Sequence, residues 1–448
     1  MPQKKNVREI ALDILVSVEK SQAYSNLSLN HAIKENSLSA QDTGLLTELT
    51  YGTIQRKMTL DYYVRPFIKN PKKLQSWVLL LIEMTVFQML YLDRVPDRAA
   101  IHEAVEIAKK RGHRGIASLV NGVLRSIQRE GVPSFNDLKD PLEKIAVSTS
   151  HPLWLVRKWA EEFGVDQTKQ MCEENLHAPV QTGRVNLTKI SREDLMKKLE
   201  GEGYAVEPSL LIEEGIRCLK GNMALSSSFK EGLFSIQDES SMLVAYALAP
   251  KKNDTVLDSC AAPGGKTTHI AEKMNQTGQI YALDLHAHKT KLIDMQAKRL
   301  GLSNIVTKQM DARKTREHFE AEKFDKILVD APCSGLGVLK RKPDAKYTKS
   351  ENDLNALAKI QYDILHQVSQ LVKKGGTIVY STCTVGHDEN NAVIDAFIQE
   401  HPEFEKDLTL KDRMPESVRP YIVDNSLQVL PQYFGSDGFF IASIRKKA

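Results

Sequence analysis

The most constraining feature of this 448-residue chain is a regular alternation of strand-like and helix-like segments that begins near residue 250. Short apolar runs alternate with longer amphipathic runs, which predicts parallel strands joined by crossover helices. The predicted strands are Thr255–Ser259, Ile280–Leu285, Ile305–Met310, Lys326–Asp330 and Thr377–Thr382, and the predicted helices are Thr267–Lys273, His288–Arg299 and Asn352–Val372. This part of the chain is therefore expected to form an α/β sheet covered by helices on both faces.

The C-terminal end departs from this alternation. Leu427–Leu430 and Phe439–Arg445 flank a turn-rich stretch, Gly435–Gly438. Two strands separated by such a turn predict an antiparallel pair that closes one edge of the sheet. Residues 404–430 otherwise carry no recognisable signature.

The N-terminal 130 residues predict a helical bundle. Apolar residues recur at helical spacing near both ends of this segment, and Trp77–Leu92 is apolar almost all round, as a central buried helix would be. The segment holds 19 Lys and Arg against 13 Asp and Glu, whereas the remainder of the chain is slightly acidic. This imbalance is compatible with a polyanionic partner, and a merely soluble helical surface explains the charge equally well.

Four regions are expected along the chain. Residues 1–130 form the helical domain, 131–150 a turn-rich linker, 151–245 a small α+β module, and 246–448 the α/β domain. The small module is predicted from β-rich runs such as Gln181–Leu187, a helical run at Arg192–Glu202, and a short amphipathic helix at Pro152–Phe163.

Composition narrows the class of protein. No apolar run is long enough to span a membrane, and the N-terminus lacks the apolar stretch of a signal peptide, so we expect a cytoplasmic protein. The chain has five cysteines without a closely spaced pair, which argues against a disulfide framework and against a structural metal site. We expect a monomer without bound metal.

A glycine-rich turn follows the first predicted strand. It reads Asp258-Ser-Cys-Ala-Ala-Pro-Gly264-Gly265-Lys266-Thr267. Adjacent glycines at a strand-to-helix turn let a ligand approach the backbone, and the helix N-terminus offers free N–H groups. The first glycine of a phosphate-binding Walker loop is replaced by Cys260, and the dinucleotide pattern is absent, so both of those readings fail.

Three acidic residues end consecutive strands at the same predicted edge. Asp258, Asp284 and Asp311 would lie where open α/β sheets bind ligands. Asp284 suits ribose hydroxyls and Asp311 an adenine amino group. Each aspartate alone would more simply cap a turn, but the set with Gly264-Gly265 favours a Rossmann-like site for S-adenosyl-L-methionine.

Two cysteines end the fourth and fifth predicted strands. Cys333 lies in Asp330-Ala-Pro-Cys-Ser-Gly335 and Cys383 in Ser381-Thr-Cys-Thr, whereas Cys172, Cys218 and Cys260 are expected to be core residues. A thiolate that adds to C6 of cytosine makes C5 nucleophilic, and Asp330 is suitably placed to stabilise charge near N3. An enzyme that methylates amino nitrogens would instead carry Asp/Asn-Pro-Pro-aromatic at this strand end.

These three motifs together resemble the RNA cytosine-5 methyltransferase family. The resemblance implies that Cys383 is the nucleophile, that Cys333 helps to release the product, and that Asp330 assists at the base. It also implies cofactor contacts from the residues of the glycine-rich loop and from the strand-end acids. These are Cys260, Ala261, Ala262, Pro263, Gly264, Gly265, Lys266, Asp284, Asp311 and Asp330.

The rest of the chain also resembles one branch of that family. Val120-Asn-Gly-Val-Leu-Arg125 in the basic helical segment is similar to RNA-binding domains of the NusB type. His151-Pro-Leu-Trp-Leu-Val-Arg157 and Gln237-Asp-Glu-Ser-Ser241 resemble the bacterial Sun/Fmu methyltransferases. The resemblance implies methylation of 16S rRNA at cytosine 967. A tRNA methyltransferase and a catalytically inactive RNA-binding protein are the alternatives.

Two groups of basic residues are candidate RNA contacts. Lys340-Arg341-Lys342 follows the Cys333 loop and is expected to hold phosphates beside the target base. The helical domain offers further cations: Arg56, Lys57, Lys72, Lys73, Lys109, Lys110, Arg111 and Arg114.

Overall fold

The computed structural model describes residues 6–21, 25–70 and 73–448, which fall into two compact units. The first unit extends to His177 and also includes Leu339–Thr348, and the second holds the remainder. Lys72, one of the candidate RNA contacts, lies outside the described residues. None of the described helices is both long enough and apolar enough to cross a membrane.

The first unit is entirely helical in its described part, as the apolar spacing predicts. Helix α5 packs at its centre, with Leu81, Ile82 and Met84 fully buried. Its helices, numbered along the chain, are α1 (Val7–Ser21), α2 (Ser25–Asn36), α3 (Ala40–Gln55), α4 (Lys57–Val64), α5 (Ser76–Tyr91), α6 (Asp97–Arg111), α7 (Arg114–Glu130), α8 (Pro141–Thr149), α9 (Leu153–Phe163), α10 (Val165–Glu174) and α16 (Ala345–Thr348). Helix α8 occupies the second half of the stretch predicted as a linker.

The second unit contains two sheets. Its strands are β1 (Gln181–Val185), β2 (Ala205–Pro208), β3 (Gly215–Lys220), β4 (Phe234–Ile236), β5 (Thr255–Asp258), β6 (Gln279–Asp284), β7 (Ile305–Gln309), β8 (Phe324–Asp330), β9 (Val372–Thr382), β10 (Phe404–Lys406), β11 (Ile422–Val423), β12 (Ser426–Val429) and β13 (Phe439–Lys446). Its helices are α11 (Arg192–Gly201), α12 (Ser227–Lys230), α13 (Glu239–Leu248), α14 (Gly265–Lys273), α15 (Ala287–Leu300), α17 (Glu351–Ser369), α18 (Asn391–Glu400), α19 (Leu410–Arg413) and α20 (Pro431–Phe434).

The smaller sheet has the antiparallel order β2-β3-β1-β4, which confirms the α+β module. The larger sheet has the order β11-β12-β13-β9-β8-β5-β6-β7, with β10 paired to β13. Strands β5 to β9 are mutually parallel, and β13 runs antiparallel to β9. The predicted Rossmann-like domain and its antiparallel C-terminal strands are therefore confirmed.

Alternate residues of the central strands pack into two separate cores. On β8, Leu328 joins one core, whereas Ile327 and Val329 join the other. Because successive side chains of a strand point to opposite faces, helices must cover both sides of this sheet. The carboxyl ends of β8 and β9 are brought level by the pairing of Asp330 with Ser381.

Strand β9 is longer than predicted. It begins at Val372 rather than Thr377. Val372, which was predicted to end the preceding helix, therefore belongs to the strand. The prediction missed the first residues because Lys373-Lys-Gly-Gly376 does not have the composition of a strand. Gly375, with φ of +72°, lets the chain turn within this stretch in a conformation that residues with a side chain rarely adopt.

Candidate active site

The two predicted catalytic cysteines lie together at the carboxyl ends of adjacent strands. Cys333 follows β8, Cys383 follows β9, and their sulfur atoms are 3.3 Å apart. Both side chains are partly buried. The contact with the Cys383 sulfur, followed by burial, raises the pKa of Cys333 well above its ordinary value. Cys333 is thus held as a neutral thiol beside Cys383.

Asp330 is the last residue of β8, three positions before Cys333, and two side chains bond to its carboxylate. The ammonium of Lys266 is 2.7 Å from one carboxylate oxygen, and the hydroxyl of Ser381 donates to the other at 2.8 Å. Burial opposes the charge on Lys266, but the Asp330 carboxylate outweighs it, and the pKa of Lys266 is raised. The ammonium also interacts electrostatically with Cys383, and a nearby cation favours a thiolate.

The glycine-rich loop forms a cradle open to a ligand. The Ala262–Pro263 peptide bond is cis, and Gly264 has φ of +103° where it caps helix α14. A methyl group at Gly265 would meet no atom closer than 3.9 Å, so the backbone is accessible there. The N–H groups of the first helical turn have no partner within the helix. Free N–H donors and an uncovered backbone fit the carboxylate and the sugar of S-adenosyl-L-methionine.

The three strand-end acids are not equivalent. Asp258 is fully buried and accepts a hydrogen bond from Thr267 at 2.6 Å, and burial raises its pKa to about 7. Its carboxyl group is therefore enclosed in the interior, whereas the strand-end pattern indicated a ligand contact. Asp284 and Asp311 both remain at the edge and both cap the turns that follow them, accepting from backbone N–H groups. Asp311 also forms a bidentate pair with Arg313, which donates through Nε to one carboxylate oxygen and through a terminal nitrogen to the other.

The remaining cysteines behave as apolar residues. Cys172 and Cys218 are buried, as predicted. Cys260 packs against the core beneath the sheet, and burial raises the pKa of its thiol far above the ordinary range. No cluster of potential metal ligands exists among the described residues.

The prediction that Lys340 holds RNA phosphates is wrong. Its side chain is 2% exposed, and its ammonium lies 2.9 Å from the Glu174 carboxylate within the first unit. Lys342 is exposed, and its contact with phosphate stays a prediction. The error arose because a run of basic residues normally indicates a solvated loop, whereas the partner of Lys340 lies 166 residues away in sequence.

Several candidate cations of the helical domain are already paired with carboxylates. Lys57 pairs with Glu19, and Arg111 pairs with Asp13 at 2.5 Å. Such exposed pairs are worth little in stability, so they can exchange for phosphate at small cost. Their contact with RNA stays a prediction.

Two groups of buried polar residues near the site were not predicted. Glu389 and Asn390 bond to the segments that carry the two cysteines. Arg184 of β1, fully buried, donates to Glu272 and to the carbonyl of Gly265 at the start of α14. Sequence offered only a weak signal, a run of polar residues after Cys383, because each partner is distant along the chain.

Comparison with known protein families agrees with the three-part architecture. The family model described as 16S rRNA methyltransferase RsmB/F matches residues 245–445. The NusB family matches residues 5–129, and the ferredoxin-like domain of RsmF/B-like methyltransferases matches residues 151–224.

Individual relatives match the chain over its full length. The probable ribosomal RNA small subunit methyltransferase B of Bacillus subtilis is 58% identical, covering 99% of this chain and all of the relative. The small subunit methyltransferase B of Escherichia coli is 32% identical over the whole of both chains. The crystal structure of PH0851 has a TM-score of 0.82 at 27% identity, covering 100% of this chain and 99% of its own. The NSun6 structure from Pyrococcus horikoshii with SFG, at 24% identity, shares the fold, with a TM-score of 0.58 over 65% of this chain and 97% of its own. The chain therefore belongs to the RsmB/F family of 16S rRNA methyltransferases.

Proposed function

We propose that this protein transfers a methyl group from S-adenosyl-L-methionine to C5 of a cytosine in 16S rRNA through a covalent adduct between Cys383 and C6. The observation that carries this proposal is the close approach of the Cys333 and Cys383 sulfurs at a sheet edge that also holds Asp330. The analogous target in the resembling branch is cytosine 967, and an rRNA substrate would locate the reaction in the cytoplasm.

Cys383 begins the proposed reaction. Its thiolate adds to C6, and the ring electrons then make C5 a nucleophile. The ammonium of Lys266, which interacts with Cys383, favours the thiolate. When bound, S-adenosyl-L-methionine supplies an electrophilic methyl group. The accessible backbone at Gly265 and the carboxylate of Asp284 are suited to hold it.

Asp330 and Lys266 stabilise the target cytosine during this addition. Negative charge develops at N3 as the thiolate attacks C6, and a proton donor beside that nitrogen stabilises it. As this charge develops, the Lys266 ammonium can pass a proton to the Asp330 carboxylate, and the resulting carboxyl group can donate to N3. Ser381 holds the other carboxylate oxygen and thereby keeps the carboxyl group oriented.

Cys333 acts in the release of the product. After methylation a base removes the C5 proton, the C5–C6 double bond re-forms, and the Cys383 sulfur leaves C6. A neutral thiol 3.3 Å from the departing sulfur can return a proton to it. In this assignment Cys383 attacks the base and Cys333 assists the release of the product.

The proposal is tested by incubating the protein with unmodified 16S rRNA and methyl-tritiated cofactor. We expect tritium in 5-methylcytosine at one position, no transfer with Cys383→Ala, and a covalent protein–RNA complex that accumulates with Cys333→Ala. Label in tRNA but not in 16S rRNA would select the alternative substrate. Label that appears at near wild-type rate with Cys383→Ala would rule out Cys383 as the nucleophile.

A further inference from the structure

Glu389 supports the segment around Cys333. Its carboxylate is 1% exposed and accepts hydrogen bonds from the Ser334 backbone N–H at 2.8 Å, from the Ser334 hydroxyl, and from the Gln361 amide at 2.9 Å. The same Gln361 amide donates to the carbonyl of Pro332 at 2.9 Å. Both residues that flank Cys333 are therefore held through one buried carboxylate and its amide partner.

Asn390, the next residue, supports the segment around Cys383. Its side-chain oxygen accepts from the Thr382 hydroxyl at 2.6 Å, and its amide nitrogen donates to the Thr384 carbonyl at 3.3 Å. Asn390 is fully buried. The residues on both sides of Cys383 are thus bonded to a single side chain.

The two supported segments are also bonded to each other. The hydroxyls of Ser334 and Thr384 are 2.9 Å apart, and the N–H of Gly337 donates to the Cys383 carbonyl at 3.0 Å. Buried polar networks of this kind are strongly directional, because each unsatisfied group costs free energy. A shift of Glu389 and Asn390 would therefore move both cysteines.

We infer that Glu389 and Asn390 form a positioning pair that sets the distance between the Cys333 and Cys383 sulfurs and so controls the rate of methyl transfer. This inference rests on the proposed function for its catalytic consequence. Neither residue touches the reacting atoms. They act through the backbone on either side of each cysteine, and the single dipeptide that precedes α18 serves both.

The proximity of the two sulfurs can be tested without RNA. Diamide takes one hydrogen from each thiol, so that the azo compound is reduced to a hydrazine and an S–S bond forms. Sulfurs 3.3 Å apart should cross-link readily, and peptide mapping distinguishes the Cys333–Cys383 link from links to other cysteines. The rate of this reaction reports on positioning independently of cofactor or substrate.

We expect Glu389→Ala and Asn390→Ala each to slow cross-linking and to lower kcat about tenfold or more, with KM for the cofactor little changed. Glu389→Gln should restore most of both rates, because its amide oxygen can accept from Ser334 and Gln361. Asp395→Asn is the matched control, since this exposed carboxyl lies on α18, which follows the pair, and outside the network.

Cross-linking and kcat at wild-type values in folded Glu389→Ala would overturn the inference. If the alanine variants do not fold, Thr382→Val carries the test, because it removes only the hydroxyl bond to Asn390. Unchanged rates in that variant would equally overturn it. If cross-linking depends on Glu389 while the wild-type protein methylates no cytosine, the positioning role stands and the proposed function fails.

Discussion

A single buried carboxyl group in the helical unit has consequences for stability. Glu83 of α5 is 2% exposed and makes no hydrogen bond or ion pair among the described residues. Burial, reinforced by the charge of Asp61, raises its pKa to about 8. An unfolded glutamate ionises near 4.5. Between these two values the folded protein keeps a proton that the unfolded chain has released, so stability falls as pH rises from about 4.5 to 8.

Glu83→Gln should therefore stabilise the protein increasingly from pH 5 to pH 8. The neutral amide removes the titration, and the difference from wild type should grow by about 3 kcal/mol across this range. Urea unfolding at several pH values measures it. Glu48→Gln, which removes an exposed carboxyl of α3, should give no such trend. Parallel pH curves for wild type and Glu83→Gln would contradict the prediction.

At the scale of elements, the backbone of the loop after Cys333 packs closely against the backbone that leads into β13. The loop after Cys333 meets the start of β13, where the N–H of Gly438 donates to the Gly337 carbonyl at 2.8 Å. A methyl group on Gly337 would lie 2.0 Å from the Gly438 carbonyl oxygen and 2.8 Å from that of Cys383. Only glycine permits this approach, which joins the two cysteine-bearing segments to the antiparallel part of the sheet.

Gly337→Ala should destabilise the protein by about 1–3 kcal/mol, because backbone must move to admit the methyl group. The displaced Cys383 carbonyl should also reduce methyl transfer. Gly386→Ala provides the control, since it lies in the same region and a methyl group there meets nothing within 4 Å. The midpoint of thermal unfolding and the rate of methyl transfer are measured for both variants. Equal behaviour of both variants would show that the loop adjusts freely.

At the scale of the whole molecule, one short segment belongs to the first unit although the residues before and after it belong to the second unit. Leu339–Thr348 lies between β8 and α17 in sequence, yet its contacts are with the first unit. Lys346 is fully buried there and donates to the Gln55 carbonyl at 2.8 Å, and burial lowers its pKa to about 7. The Tyr347 hydroxyl contacts Ser150. This segment therefore depends on the helical unit for its buried environment.

A fragment of residues 178–448 should be cut by trypsin after Lys340 or Lys346 about tenfold faster than the full chain, because both side chains lose their burial. Lys252, exposed in a turn, should be cut equally in both. Cleavage after Arg184, which is buried in the second unit, would instead report an unfolded fragment. A resistant segment in a folded fragment would contradict its dependence on the first unit.

Local sequence patterns were sufficient to predict the helical unit, the small α+β module, the parallel sheet and the strand ends that carry Cys333, Cys383 and Asp330. These follow from periodicity and turn chemistry, which are local. Only the folded chain shows that Lys340 is buried beside Glu174, that Asp258 is enclosed beside Thr267, and that Glu389 and Asn390 hold both cysteine-bearing segments. Such contacts join residues far apart in sequence, and no local pattern encodes which distant partner will satisfy a buried polar group.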